Sequence, residues 1–111
     1  MTQLERVGDI IAAYRKHEWR LQRVLLSRET RLELAAAESE LFEGAILQEA
    51  PYDALWFARP SSAGREAWEL RLVSATPYAL FETFEADEAD EDREEVRREM
   101  EARLAEYAAR S

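Results

Sequence analysis

The sequence predicts an α+β domain in which an antiparallel β meander of about four to five strands carries N-terminal, middle and C-terminal helices on one face, giving two layers. Three observations lead to this fold class. Near both ends of the chain, apolar residues recur every three or four positions, which is the period of an amphipathic helix. Between residues 45 and 84 they follow a period of two, with turn residues between the runs, as in consecutive antiparallel strands. A length of 111 residues suits one core, so we expect residues 1–111 to form a single α+β domain.

The N-terminal segment carries the signals of a helix followed by a strand. Thr2 and Glu5 have the spacing of a capping box, which starts a helix by satisfying its first backbone N–H groups. Beyond His17 the pattern changes to period two, which predicts a strand over residues 19–26. The sequence leaves the place of this strand in the sheet open. The apolar stripe of the helix comprises Leu4, Val7, Ile11 and Tyr14.

A second helix is predicted over residues 28–42, where helix-forming residues dominate. Thr30 and Glu33 again have capping-box spacing. Gly44 is placed to end this helix in a left-handed conformation.

Four apolar segments and a final helix complete the chain. Turn residues separate predicted strands over residues 45–50, 54–59, 65–73 and 78–84. The segment 54–59 is apolar on both faces, so we place it in the centre of the sheet, whereas the segment 65–73 alternates as a strand with one buried face does. Acidic residues crowd the start of the C-terminal helix, where the helix dipole favours negative charge. Its apolar stripe comprises Val96, Met100, Leu104, Tyr107 and Ala108.

The composition excludes several classes of protein. The chain has no cysteine, which rules out disulfides, thiolate metal sites and cysteine nucleophiles. A net charge of −9 disfavours binding to nucleic acid or to an anionic membrane, because phosphate contacts dominate such binding. No apolar run approaches the ~20 residues that cross a bilayer, and the first residues lack the basic and apolar regions of a signal peptide. We therefore expect a cytoplasmic protein with no nucleic-acid and no membrane partner.

The charge is uneven along the chain. Residues 1–31 hold seven Arg or Lys against four acids, a net of +3, and the remaining residues hold eight against twenty, a net of −12. This asymmetry indicates either attraction between the two ends of the chain or a local basic patch for an acidic partner.

No motif for catalysis, a cofactor or a metal stands out. His17 is the only histidine, and without cysteine or a second histidine it lacks the ligand set of a zinc site. The acidic run over residues 87–95 lacks the glycine that a calcium loop needs at its bend. The three glycines are isolated from one another, so the sequence has no glycine-rich phosphate loop. We expect no catalytic residue, no cofactor and no metal.

Two features mark candidate binding residues. Glu82 and Arg23 interrupt apolar strand faces. Their charges lie in water if those faces are exposed; if the faces point inward, each charge needs a buried partner, such as Arg71 for Glu82, or forms the polar floor of a pocket. The strands are also rich in aromatic residues, and an open aromatic sheet face flanked by arginines would carry the residue types that anchor protein interfaces. The candidate interaction or pocket residues are Trp56, Arg59, Trp68, Arg71, Arg23 and Glu82.

Three classes of function remain. The preferred hypothesis is a protein-interaction or regulatory module, with a homodimer as one arrangement, and it predicts a contiguous exposed apolar patch around Trp56 and Trp68. The alternative is a small-ligand-binding domain with a pocket between sheet and helices and with Arg71, Glu82 or Arg23 on its wall. A metal-free enzyme that relies on carboxylates and tyrosine is the least favoured, and it predicts a raised carboxylate pKa inside such a cavity.

Overall fold

A computed structural model describes residues 1–110; Ser111, the last residue of the predicted domain, lies outside the described residues. The helices are α1 (Gln3–Lys16), α2 (Arg28–Glu33), α3 (Glu38–Leu41) and α4 (Asp90–Arg110), and short 3₁₀ turns occupy Ala35–Ala37 and Ser62–Gly64. The strands are β1 (Arg20–Leu26), β2 (Ile46–Glu49), β3 (Ala54–Pro60), β4 (Glu66–Leu72) and β5 (Ala79–Phe84).

The five strands form one open sheet in the order β2-β1-β3-β4-β5. β1 pairs with β2 in parallel, and the other three pairs are antiparallel. The α+β class is therefore confirmed, but the prediction of a purely antiparallel sheet is wrong, because the sheet is mixed. The reason lies in one connection: β1 reaches β2 through α2 and α3 rather than through a hairpin, and such a crossover lets the second strand run in the same direction.

Helices cover both faces of the sheet, so the predicted two-layer arrangement with every helix on one face is wrong. Buried residues of α1 pack with Leu55 and Phe57 of β3, and we call this side the α1 face. Met100 and Leu104 of α4 pack with Trp56 on the opposite side, the α4 face. Because alternate side chains of β3 form two apolar sets, each set is buried only when a helix lies over it.

α1 begins at the predicted capping box. The Glu5 N–H donates to the Thr2 hydroxyl over 3.1 Å, and the Thr2 N–H donates to the Glu5 carboxylate over 3.1 Å. These two bonds satisfy donors that the first turn of a helix leaves open.

The segment predicted as a second helix is divided into α2, a 3₁₀ turn and α3. α2 begins at Ser27, whose hydroxyl accepts a hydrogen bond from the Thr30 N–H over 3.2 Å. The predicted capping box at Thr30 and Glu33 is therefore wrong, because Thr30 already lies inside the helix. Gly44 does take up the expected left-handed conformation, with a φ of +80°.

Asp53, in the turn before β3, joins several elements at one end of the sheet. Its carboxylate accepts hydrogen bonds from the Gln3 side chain at 2.8 Å, from the Ser27 N–H at 2.8 Å and from the Thr30 hydroxyl at 2.6 Å. Gln3 also donates to the Val73 carbonyl, just after β4, at 3.1 Å. The N-terminal ends of α1 and α2 are thereby held at the end of the sheet where β3 begins.

Candidate functional site

α1 covers only part of its face of the sheet. Among residues 1–110, no side chain of β5 joins the buried cluster on this side. Phe81 lies in the middle of β5 opposite Glu69, on the α1 face, and its side chain is 58% exposed. The α1 face therefore stays open along the edge strand β5.

Trp19 marks the boundary between the covered and the open part. Glu18 has a φ of +68°, a left-handed conformation that costs a non-glycine residue roughly 1–2 kcal/mol. The chain turns sharply there, and the Trp19 N–H donates to the Tyr14 carbonyl at 3.1 Å. The Trp19 ring meets the Tyr14 and Phe81 rings edge-on, with centroids 6.1 and 6.4 Å away. A row of aromatic rings thus extends from α1 to the edge strand.

A groove lies at the end of the sheet where β1 begins and β3 ends. Its volume is about 610 Å³. Ala67 of β4 and Phe81 of β5 belong to its lining, and the short side chain of Ala67 leaves space above the sheet. We call this feature the Phe81 groove; its lining residues are Glu18, Arg20, Arg59, Pro60, Ser61, Ala67 and Phe81.

Two arginines give the Phe81 groove a cationic wall. The Arg59 guanidinium donates to the His17 carbonyl at 2.8 Å and lies 4.4 Å from the centre of the Trp19 ring. Arg20 is exposed at the start of β1. Within the part of the chain that the structure describes, neither arginine forms an ion pair.

A second, smaller concavity of about 200 Å³ lies between α1 and the sheet and includes Tyr14, Trp19 and Glu69 in its lining. The Tyr14 hydroxyl donates to the Glu69 carboxylate, and the Tyr14 ring stacks on Phe57 with centroids 4.1 Å apart. Burial and the hydrogen bond to Glu69 both raise the pKa of Tyr14. Tyr14 is therefore protonated at neutral pH and acts as a hydrogen-bond donor, which suits a structural contact better than acid–base chemistry.

The two tryptophans expected on an exposed patch are buried under α4. Trp56 is 0% exposed and Trp68 is 6% exposed. The Trp56 indole N–H donates to the Glu101 carboxylate of α4 at 2.9 Å, and the Trp68 indole N–H donates to Glu66 at 2.6 Å. The expected apolar patch around Trp56 and Trp68 is therefore wrong, because α4 covers the face that we expected to be open.

Arg23 belongs to a charge cluster beneath α4. It donates two hydrogen bonds to Glu94 at 2.7 and 2.8 Å, and Arg97 donates a third at 3.1 Å. The Arg97 guanidinium lies 3.8 Å from the centre of the Trp68 ring, and its buried Nε has no hydrogen-bond partner among residues 1–110. The hydrogen bonds from Arg23 hold the pKa of Glu94 at about 2. This cluster joins β1 to α4 and has a structural role.

Arg71 and Glu82 lie on opposite faces of the sheet. Arg71 is half-buried, its Nε donates to the Leu72 carbonyl at 3.1 Å, and it lines a separate cavity of about 230 Å³ beside α1. Glu82 is exposed on the α4 face, and its carboxylate accepts a hydrogen bond from the Thr83 N–H at 3.3 Å. Of the six candidate residues, Arg59 alone lines the Phe81 groove.

The outer edge of β5 presents backbone groups to solvent. The Leu72 N–H donates to the Tyr78 carbonyl at 2.9 Å, and hydrogen-bonded positions recur at every second residue along the β4–β5 ladder. The backbone groups of Ala79, Phe81 and Thr83 therefore point away from β4. The Thr83 N–H already donates to the Glu82 carboxylate, so the Ala79 and Phe81 N–H groups are the outward donors that remain for a further strand.

Sequence reasoning missed the two residues at the centre of this site, Trp19 and Phe81. Both are aromatic residues of predicted strands, and their local sequence context does not distinguish them from the buried ones. The signal that separates Phe81 from the others is its position in the last strand of the meander, since the last strand of an open sheet tends to lie at its edge.

Comparisons with known protein families, with curated proteins and with solved structures found no match to this chain. Over residues 1–110, no helix is both long and apolar enough to cross a membrane. In the same range, no group of three or more His, Asp or Glu side chains is arranged to hold a metal ion. The functional argument therefore rests on the geometry of the Phe81 groove and of the β5 edge.

Proposed function

We propose that this chain is a protein-interaction module that binds an extended segment of another protein along the Phe81 groove and the outer edge of β5. The observation that carries the proposal is Phe81 itself, a large aromatic side chain that is 58% exposed in the middle of an edge strand. A single exposed apolar residue is common at protein surfaces. Phe81, however, is continuous with the Trp19 ring and with the groove beside it.

The residue types at the groove support a role in recognition. Tryptophan and arginine are enriched among the residues that contribute most to binding energy at interfaces. Arg59 is held in place by its hydrogen bond to the His17 carbonyl and by the Trp19 ring. Its side chain therefore loses little rotational freedom when a partner binds there, which lowers the entropic cost of binding.

The edge of β5 supports an extended conformation for the partner. Peptides that add a strand to an exposed sheet edge gain affinity from main-chain hydrogen bonds and specificity from side-chain pockets. The Ala79 and Phe81 N–H groups supply donors for such main-chain hydrogen bonds. The Phe81 groove, on the same side of the sheet as the Phe81 ring, supplies a pocket for a side chain of the partner.

Another protein is favoured over a second copy of this chain as the occupant. Each chain has a net charge of −9, so two copies repel each other. Antiparallel pairing of two β5 strands about Phe81 would also make the Glu82 side chains of the two copies diagonal neighbours on one face, where like charges are unfavourable.

Selection from a phage-displayed library of random twelve-residue peptides on the immobilised chain tests the proposal. We expect selected peptides to bind Phe81→Ser at least about tenfold more weakly than the wild type, the loss typical of an interface anchor. The matched control is Leu32→Ser, which removes a 74% exposed apolar side chain from α2, and it should keep wild-type affinity.

Four results would contradict the proposal. Peptides that bind Phe81→Ser as tightly as the wild type, or a selection that enriches nothing, would show that the groove is not a docking surface. A dimer in sedimentation equilibrium that Phe81→Ser dissociates would make a second copy the occupant. A small molecule retained in native mass spectrometry by the wild type and lost from Phe81→Ser would favour the ligand-binding alternative.

A further inference from the structure

The Phe81 groove is bordered by two arginines in an otherwise acidic chain. Arg20 and Arg59 line the groove. We call these two residues the basic rim. Glu18 is the acidic residue of the groove lining. The residues that line the groove therefore carry a net positive charge, whereas the whole chain has a net charge of −9.

The basic rim forms no ion pair among residues 1–110, although the Arg59 guanidinium donates one hydrogen bond to the His17 carbonyl. Six arginines elsewhere in residues 1–110 form ion pairs with glutamates of the same chain. The six paired arginines are Arg23, Arg31, Arg65, Arg93, Arg97 and Arg110. The rim donors are thus available to a ligand, and a guanidinium matches a carboxylate with two parallel hydrogen bonds.

The aromatic and cationic parts of the groove lie within one side-chain length of each other. Arg59 stacks at 4.4 Å over Trp19, and Trp19 meets Phe81 at 6.4 Å. A segment seated in the groove therefore presents an apolar side chain to the exposed Phe81 ring and a neighbouring side chain to the arginines.

We propose that the segment bound by the Phe81 groove is acidic, with a carboxylate that pairs with Arg20 and Arg59 next to an apolar or aromatic side chain that packs against the exposed part of the Phe81 ring. This inference rests on the proposed function and adds the chemistry of the partner. Charge complementarity with the basic rim selects acidic over basic segments. Glu82 and Glu85 lie at the same end of β5 as the groove, Glu82 on the α4 face and Glu85 in an ion pair with Arg65. Their charge repels a long polyanion such as RNA and so favours a short acidic motif.

Synthetic peptides taken from the library selection test this inference by fluorescence anisotropy. Each selected peptide is compared with the same peptide in which every Glu and Asp is replaced by Gln and Asn. We expect the amide version to bind roughly tenfold more weakly, and Arg20→Glu to weaken the acidic peptide by a similar factor. Arg20→Glu should in turn favour a peptide whose acids are replaced by lysine.

The control for the charge change is Arg103→Glu, at an exposed position of α4 on the opposite side of the sheet, and it should leave every affinity within about twofold of the wild type. In one contrary result, peptides lose affinity for Phe81→Ser and yet bind as tightly in their amide form as in their acidic form, and as tightly to Arg20→Glu as to the wild type. That result would overturn the acidic partner and leave the docking surface in place. Loss of the dependence on Phe81 itself would overturn the proposed function as well. Equal weakening by Arg20→Glu and Arg103→Glu would mean general charge attraction and would also overturn the inference.

Discussion

Replacing Glu94 by glutamine removes the carboxylate that Arg23 and Arg97 share beneath α4, while it keeps the size of the side chain. The Arg97 side chain is only 9% exposed, so water replaces little of what its guanidinium loses. Removing one partner of a buried ion pair costs about 3–5 kcal/mol. Because the Glu94 side chain is itself 38% exposed, we expect Glu94→Gln to lower the free energy of unfolding at pH 7 by about 2–3 kcal/mol.

The same interaction should depend on pH. The folded-state pKa of Glu94 is about 2, below its ordinary value of 4.5. A carboxyl with a lowered folded-state pKa stabilises the fold above its unfolded pKa, and this contribution is lost as the pH falls from about 4.5 towards 2. The full pKa difference corresponds to about 3 kcal/mol, and solvent screening at a 38% exposed side chain reduces this to about 1–2 kcal/mol. The destabilisation by Glu94→Gln should therefore shrink by that amount between pH 7 and about pH 2.5.

Urea unfolding followed by tryptophan fluorescence measures both effects. Glu99→Gln is the matched control, because Glu99 is exposed on α4 and forms no ion pair among residues 1–110, and it should change stability by less than about 0.5 kcal/mol. A Glu94→Gln effect as small as that of the control at pH 7 would refute the assignment of Glu94 as the shared partner. An effect of equal size at both pH values would refute the pH argument alone.

Three further substitutions test other parts of the structure. Asp53→Ala removes an acceptor from three donors and should lower the free energy of unfolding by about 2–4 kcal/mol in urea titrations, whereas a loss under 1 kcal/mol would show that water replaces those bonds. Glu18→Gly relieves a φ of +68° and should raise stability by about 0.5 kcal/mol in thermal unfolding, and a clear decrease in Tm would count against strain at this turn. Trp56→Phe removes the indole N–H that bonds to Glu101 and part of a fully buried ring, so we expect a loss of at least about 1–2 kcal/mol; no loss in urea would mean that neither the bond nor the packing of the indole contributes net stability.

The elements of the fold were predictable because their signals are local. The capping box at Thr2 and Glu5, the left-handed Gly44 and the alternation along β4 each depend on residues close together in the sequence. The layering was not predicted, although β3 contained the relevant signal. A strand that is apolar on both faces requires cover on both faces, and this condition alone excludes a sheet with helices on one side only. The parallel pairing of β2 depends on how the crossover through α2 and α3 returns to the sheet, which no single segment specifies.

The candidate site was harder to predict than the fold because it depends on which part of the α1 face remains open. Trp68 and Phe81 are both strand aromatics in the sequence, yet one is 6% exposed and the other 58%. The difference comes from α4 and α1, which cover the opposite faces to different extents. The sequence also could not show which residue pairs with Arg23, since its partner Glu94 is 71 residues away and lies on a different element. Arg59 was predicted because its charge at the end of an apolar strand is visible without the fold.

The hydrogen bond from the Thr83 N–H to the Glu82 carboxylate reduces the number of main-chain donors that β5 offers to a further strand. It leaves two outward N–H donors, those of Ala79 and Phe81, and each backbone hydrogen bond contributes only about 0.5–1.5 kcal/mol net. A bound segment would then be retained mainly by its side chains in the Phe81 groove, and it would dissociate rapidly whenever those side chains leave. The same short edge offers few donors to β5 of another copy, which disfavours the growth of a sheet from one chain to the next.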